Sequence, residues 1–320
     1  MVTEFILVGL SDHPRAQKVL FCLLLLVYFV TLFGNGLMMV VIIADSHLHT
    51  PMYFFLSNLS SIDIFYTSSS VPQILVNCFI ARATIPVTNC LTQMYCGLFL
   101  GMTECFLLAV MAYDRFAAVC HPLHYTLIMN NRLCISLVAS SWIVAFLLAV
   151  VPVFFIPVSF CGPNIINHFS CESQAVLKLG CSNARINEIF SIARAIPVLV
   201  VPFLFIMVTY IRIGQAVLKI RSAQGRSKAF STCGSHLIVV SIFYGSAMFM
   251  YLQPQGRPTS DRDKLISVLY GALTPMLNPM IYSLRNKDVK GAVYRLIASG
   301  EWVVVVVTIP PPFCPLESNP

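Results

Sequence analysis

Met111-Ala112-Tyr113-Asp114-Arg115-Phe116-Ala117-Ala118-Val119-Cys120-His121-Pro122-Leu123-His124-Tyr125 is the stretch on which the reading turns. An apolar run from Leu98 to Met111 breaks at adjacent Asp114 and Arg115. Pro122 follows, and the chain is polar and basic by Asn130 to Arg132. A helix leaving hydrocarbon for water has this profile. An acid and a base at its exit can form a charge pair at a membrane surface, and a lone Arg there can equally snorkel to the interface.

Composition decides the setting. Of 320 residues, 58% are hydrophobic and 10% charged, against about 25% charged in soluble domains. Mean hydropathy is +0.81. The chain therefore reads as an integral membrane protein. Its net charge of +7 is scattered between apolar runs, with no basic stripe and no recognised nucleic-acid module, so nucleic acid is excluded as a partner. Residues 1–18 show no basic leader and read as a short segment ahead of the first span, not as a cleavable signal.

A helix needs roughly 20 apolar residues to cross a bilayer. Seven runs qualify, at 19–43, 53–77, 91–113, 134–157, 187–211, 232–252 and 265–284. They are continuous and do not alternate, so a strand barrel is excluded. The predicted fold is an all-α membrane protein, a seven-helix transmembrane bundle over 19–284. A short amphipathic helix follows at 285–298, striped with Val289, Ala292, Val293, Leu296 and Ile297, and an atypical tail occupies 299–320. Lys and Arg are more numerous on the side carrying Arg115, Arg132, Arg212, Lys219 and Lys290 than on the side carrying Arg15, Lys18, Arg82 and Lys178. The positive-inside rule then puts the N-terminus outside and the C-terminus in the cytoplasm. Cys90, Cys161, Cys171 and Cys181 all fall on the outer side, where disulfides persist. Four cysteines allow three pairings, and spacing does not choose among them. The long loop 159–185 is a natural lid over a pocket.

Three ionisable residues inside spans need partners. Asp63 and Glu104 face the bundle interior, either as hydrogen-bonded protonated acids or with a cation between them. Arg194 lies about two turns into the fifth span. It either snorkels outward or points into a pocket, where it would favour an acidic or carbonyl-bearing ligand.

Motifs along the chain resemble those of olfactory (odorant) receptors, rhodopsin-like G-protein-coupled receptors of the tetrapod type. The matching stretches are Gly34-Asn35, residues 48–60 (LHTPMYFFLSNLS), residues 111–125, residues 228–237 (KAFSTCGSHL), Phe243-Tyr244-Gly245 and residues 275–286 (PMLNPMIYSLRN). In order and register they span residues 3 to about 297. The resemblance implies a Cys90–Cys171 bridge and a second, Cys161–Cys181. It implies a sodium site at Asp63 and Glu104 with Asn35 and Asn278, and no other cofactor. It also implies an odorant pocket formed by Gly97, Leu98, Gly101, Met102 and Cys105, by Ala195, Val198 and Leu199, by Tyr244, Ala247, Met250 and Tyr251, and by Val268 and Gly271; Arg194 joins this set if its side chain points inward. Asp114, Arg115, Tyr210, Asn278 and Tyr282 would form the switch that couples to a heterotrimeric G protein of the olfactory stimulatory type. The cell would read this as a rise in cyclic AMP at the plasma membrane.

There are departures from the family pattern. No glycosylation sequon precedes the first span, Thr209 stands where Ser is usual, and a valine run and three prolines occupy the tail. An enzyme is not expected, because Asp63, Glu104 and His236 form no recognised catalytic set. A transporter would show repeat symmetry, which is absent. A rhodopsin-like receptor for a small metabolite is the nearest rival.

Overall fold

The computed structural model describes residues 2–10, 13–80, 82–155, 160, 164–180, 184–219, 222–253, 260–284 and 286–299. Seven long helices are described: α1 (Pro14–Ala44), α2 (Pro51–Asn77), α3 (Val87–Cys120), α4 (Asn131–Phe155), α5, α6 (Ala223–Tyr251) and α7. Helix α5 runs through Ala184–Ala195, a π turn at Ile196–Val200, and Val201–Leu218. Helix α7 runs through Asp261–Val268, a π turn at Leu269–Leu273, and Thr274–Leu284. A final helix, α8 (Lys287–Ser299), follows.

Six of these helices, α1 and α3 to α7, are long and apolar enough to cross a membrane. The exception by composition is α2, which is diluted by Ser57, Ser60, Ser61, Ser68, Ser69, Ser70 and Asp63. At 27 residues it is about 40 Å long, and it packs between α1, α3 and α7. The protein is a multi-pass membrane protein. Its polarity is inverted relative to a soluble domain. Phe29 and Phe33 are 66% and 63% exposed on the lipid face, whereas Asn35, Asp63 and His236 are fully buried. The most enclosed helix is α3, which packs on α2, α4 and α5. It also continues beyond the expected 113 to Cys120, so Asp114 and Arg115 lie within the helix and not at its end. Helix ends outlast the hydrophobic run because their hydrogen bonds continue into the interface.

One close approach explains the Gly34-Asn35 and Pro275–Pro279 motifs together. Pro279 has no N–H, so the carbonyl four residues earlier, at Pro275, loses its helical donor. Asn35 Nδ2 supplies one, donating to Pro275 O at 3.0 Å and to Thr31 O at 3.0 Å. Gly34 lets the helices approach: a Cβ there would sit 3.1 Å from Pro279 Cγ.

Two features depart from the sequence reading. A three-stranded sheet sits at the end of the bundle that bears the Cys90–Cys171 disulfide. Strand β1 (Glu4–Leu7) pairs antiparallel with β2 (Ala83–Pro86) and parallel with β3 (Ile165–Ile166). Phe5 is fully buried and meets Phe160 edge-on at 5.0 Å. In α8, Val289, Ala292 and Leu296 are buried, but Ile297 is 59% exposed and leaves the expected stripe. Arg295 anchors α8 to the end of α1, its Nη2 lying 2.6 Å from Asp45 Oδ2. Cys161, Cys181, Arg285 and the tail from 300 onward lie outside the described residues, so the Cys161–Cys181 pairing does too.

Candidate functional site

A small cavity of about 40 Å³ opens between α3, α5, α6 and α7. Helical spacing turns Gly97, Leu98, Gly101, Met102 and Cys105 of α3 to one side of it. Arg194, Ala195, Val198 and Leu199 of α5 face them, with Ala247 and Tyr251 of α6. Three lining residues were not named from sequence: Gln174, Ser191 and Tyr270. Tyr270 reaches the cavity because α3 has no side chain at Gly101, where a Cβ would lie 2.5 Å from the Tyr270 hydroxyl. Its ring packs edge-on against Tyr66 at 5.8 Å and tilted against Phe243 at 5.4 Å.

Four expected lining residues lie elsewhere. Tyr244 is fully buried, and its hydroxyl donates to the Cys105 carbonyl at 2.8 Å, locking α6 to α3. Met250, Val268 and Gly271 line a neighbouring cavity with His168, Glu172 and Tyr66, which shares Tyr251 and Tyr270 with the first. The α7 segment with the π turn at Leu269–Leu273 serves both cavities, Tyr270 lining the two and Gly271 the second.

Arg194 lines the cavity and does not snorkel outward. Its charge is felt by Tyr95, Tyr251 and Glu172. Among the described residues no carboxylate approaches it within ion-pair distance. The Glu172 carboxyl is engaged elsewhere, accepting from Gln174 N at 2.7 Å, from Ser173 Oγ at 3.4 Å and from the Tyr251 hydroxyl. Burial pushes the Glu172 carboxyl above the usual range, although these donors act against the shift.

Residues 164–180 are tied over this end of the bundle. Cys171 is bonded to Cys90 of α3. Its N–H donates to Gln93 Oε1 at 2.9 Å, and Gln93 Nε2 reaches Ser69 O at 3.0 Å and Gln73 Oε1 at 2.9 Å in α2. His168 is 1% exposed, hydrogen-bonded to Ser267 Oγ of α7 at 3.1 Å and stacked on Phe169. Burial lowers its pKa to about 4, with Lys264 and Lys178 also opposing its charge and the Ser170 backbone and Asp263 favouring it. A neutral buried His binds fewer protons than the unfolded chain, so its contribution is complete above pH 6.5 and is lost as pH falls toward 4. The loss is of order 3 kcal/mol. Melting temperatures of detergent-solubilised protein should therefore drop between pH 7 and 5, and the drop should be smaller in His168→Gln. Equal slopes in the two would contradict this account.

Deeper in the bundle, Asn278 Nδ2 donates to both Asp63 oxygens, at 3.2 and 3.0 Å. Glu104 Oε1, Asn35 Oδ1 and Asn278 Oδ1 are buried acceptors without donors among the described residues. Oxygen ligands of this type suit a hard cation such as sodium. At the far end, Asp114 and Arg115 have separate partners. Consecutive residues diverge around a helix: Asp114 Oδ1 accepts from the Tyr125 hydroxyl at 2.7 Å, while Arg115 contacts Met52 Sδ. Tyr210 and His236 Nδ1 hydrogen-bond at 2.7 Å, and the Tyr282 hydroxyl is buried without a hydrogen-bond partner among the described residues.

The family description "Olfactory receptor" matches residues 21–299 of this sequence. The chain belongs to the olfactory receptor family. It is 49% identical over 296 residues to human olfactory receptor 13H1, covering 92% of this chain and 96% of that protein. Mouse olfactory receptor 8U3 is 47% identical over 300 residues, covering 93% and 94%. Rat olfactory receptor 1f45 is 47% identical over 298 residues, covering 93% and 95%. The protein is thus a G-protein-coupled olfactory receptor and not an enzyme.

Proposed function

We propose that this receptor binds a small odorant in the cavity between α3, α5, α6 and α7, and that the bound state favours a bundle arrangement that activates a heterotrimeric G protein of the stimulatory type, raising cyclic AMP. The observation that carries the reading is the path of α3. The same helix lines the cavity at Gly97 to Cys105 and presents Asp114 and Arg115 at the opposite end. Gly97 and Arg115 are about 27 Å apart along it. A largely apolar cavity with a few polar groups suits a small volatile molecule, and a ligand that prefers one arrangement shifts the population toward it. The distribution of basic residues supports an outward-facing disulfide end at the plasma membrane and a cytoplasmic Asp114 end. Asp63, Glu104, Asn35 and Asn278 would hold a sodium ion that neutralises the buried acids.

A cyclic-AMP reporter in cells exposed to a chemically diverse odorant panel tests the reading. The receptor should answer a subset of the panel, and Arg115→Ala at equal surface level should abolish the response. Full signalling by that variant would contradict the coupling role.

A further inference from the structure

We infer that the cavity is built for a ligand with an anionic oxygen head, a carboxylate on a short apolar tail, and that Arg194 grips that head. The inference rests on the cavity being the odorant site and deepens that reading. A guanidinium stays charged at any physiological pH. Placed in a wall otherwise made by Leu98, Met102, Val198 and Leu199, it is costly unless something compensates it. Among the described residues, no acid stands within ion-pair distance of Arg194. Glu172, the acid whose charge Arg194 feels, has its oxygens committed to Gln174 N, Ser173 Oγ and Tyr251. Burial moves that carboxyl toward its neutral form, which reduces its repulsion of an incoming anion.

The missing partner can then come from the ligand. A guanidinium presents two parallel donors that match a carboxylate, with a geometry and strength that an alcohol or ester does not reproduce. Gln174 stands on the same cavity wall. The tail would lie along α3 toward Cys105, where the lining is apolar.

The test is a reporter dose–response for one tail in four forms, such as octanoic acid, methyl octanoate, octanal and octanol, repeated with four- and six-carbon tails. Receptors compared are wild type, Arg194→Ala, Arg194→Lys and Gly101→Val, each normalised to surface level. At least one acid should be about tenfold or more more potent than its neutral counterparts. Arg194→Ala should weaken that acid by about 10- to 100-fold, the range for a hydrogen bond to a charged group, while changing any neutral response by less than about threefold. Arg194→Lys should retain part of the acid response. Octanoate, or whichever acid is active, should also raise the melting temperature of purified wild type but not of Arg194→Ala.

Neutral forms that activate while every acid is silent would overturn the inference, as would an acid response unchanged in Arg194→Ala. In either case, neutral responses blocked by Gly101→Val would leave the cavity reading standing. Activation that survives Gly101→Val undiminished would count against the cavity itself, and so would silence of surface-displayed wild type to every form.

Discussion

Receptors carrying Cys171→Ser are expected to reach the cell surface poorly, and those that do should give no measurable response to ligands that activate wild type. The Cys90–Cys171 bond closes a loop with a sequence separation of 81. On the chain-entropy account, constraining a loop of that length stabilises the fold by about 4 kcal/mol. The bond also sets the register of everything next to it. Cys171 N–H caps Gln93, Glu172 receives Tyr251, and Gln174 lines the cavity. Without the bond, residues 164–180 lose their covalent hold on α3 and the cavity loses its cover. Cys90→Ser should match Cys171→Ser, and the double variant should be no worse than either, because all three remove one bond. Flow cytometry on intact cells, with the reporter run in parallel, makes the comparison. A Cys171→Ser receptor with normal potency would show that the segment holds its place by packing alone.

The second large effect is steric. Gly101→Ala places a methyl group where the Tyr270 hydroxyl comes within 2.5 Å of an ideal Cβ. Tyr270 cannot yield freely, since Tyr66 and Phe243 flank its ring. Overpacking of this kind costs about 1–3 kcal/mol, so potency should fall by roughly 10- to 100-fold. The partner identifies the cause. Combining Gly101→Ala with Tyr270→Phe removes the clashing oxygen and should recover most of the loss, whereas Tyr270→Phe combined with Gly97→Ala should show no such recovery. At Gly97 a Cβ would only touch the Tyr66 ring, at 3.9 Å. Failure of Tyr270→Phe to rescue Gly101→Ala would remove this explanation of the glycine.

The bundle was legible because lipid imposes one rule on every span: backbone groups must bond within the segment, and side chains facing out must be apolar. That rule writes long runs such as 134–157 directly into the sequence. It does not reach the small sheet, whose strands of two to four residues are too short for alternation to register. The α3 and α5 residues implied by the family resemblance, Gly97, Leu98, Gly101, Met102 and Cys105 with Ala195, Val198 and Leu199, line the cavity, and those of α3 share one face at helical spacing. The α7 face was not legible. Val268 and Gly271 line the neighbouring cavity, and Tyr270 lines both, at a π turn that no periodic reading anticipates. For Tyr244, an inward tyrosine and a ligand-contacting tyrosine look alike in sequence, and the hydroxyl is bonded to the Cys105 carbonyl. Arg194 was left between two orientations because an arginine stem is long enough for either. Only the placement of α5 decides between them.

The middle position of β1 has a consequence for biogenesis. Residues 4–7 leave the ribosome well before one of their two neighbours, at Ile165–Ile166, which is synthesised some 160 residues later. At about 5–20 residues per second, the leading strand must wait roughly 8–30 s with one edge unpaired. During that interval the nascent chain offers an open β edge to chaperones and to other chains, and the completed N-terminal segment is a clasp that closes only after the fourth helix has been inserted.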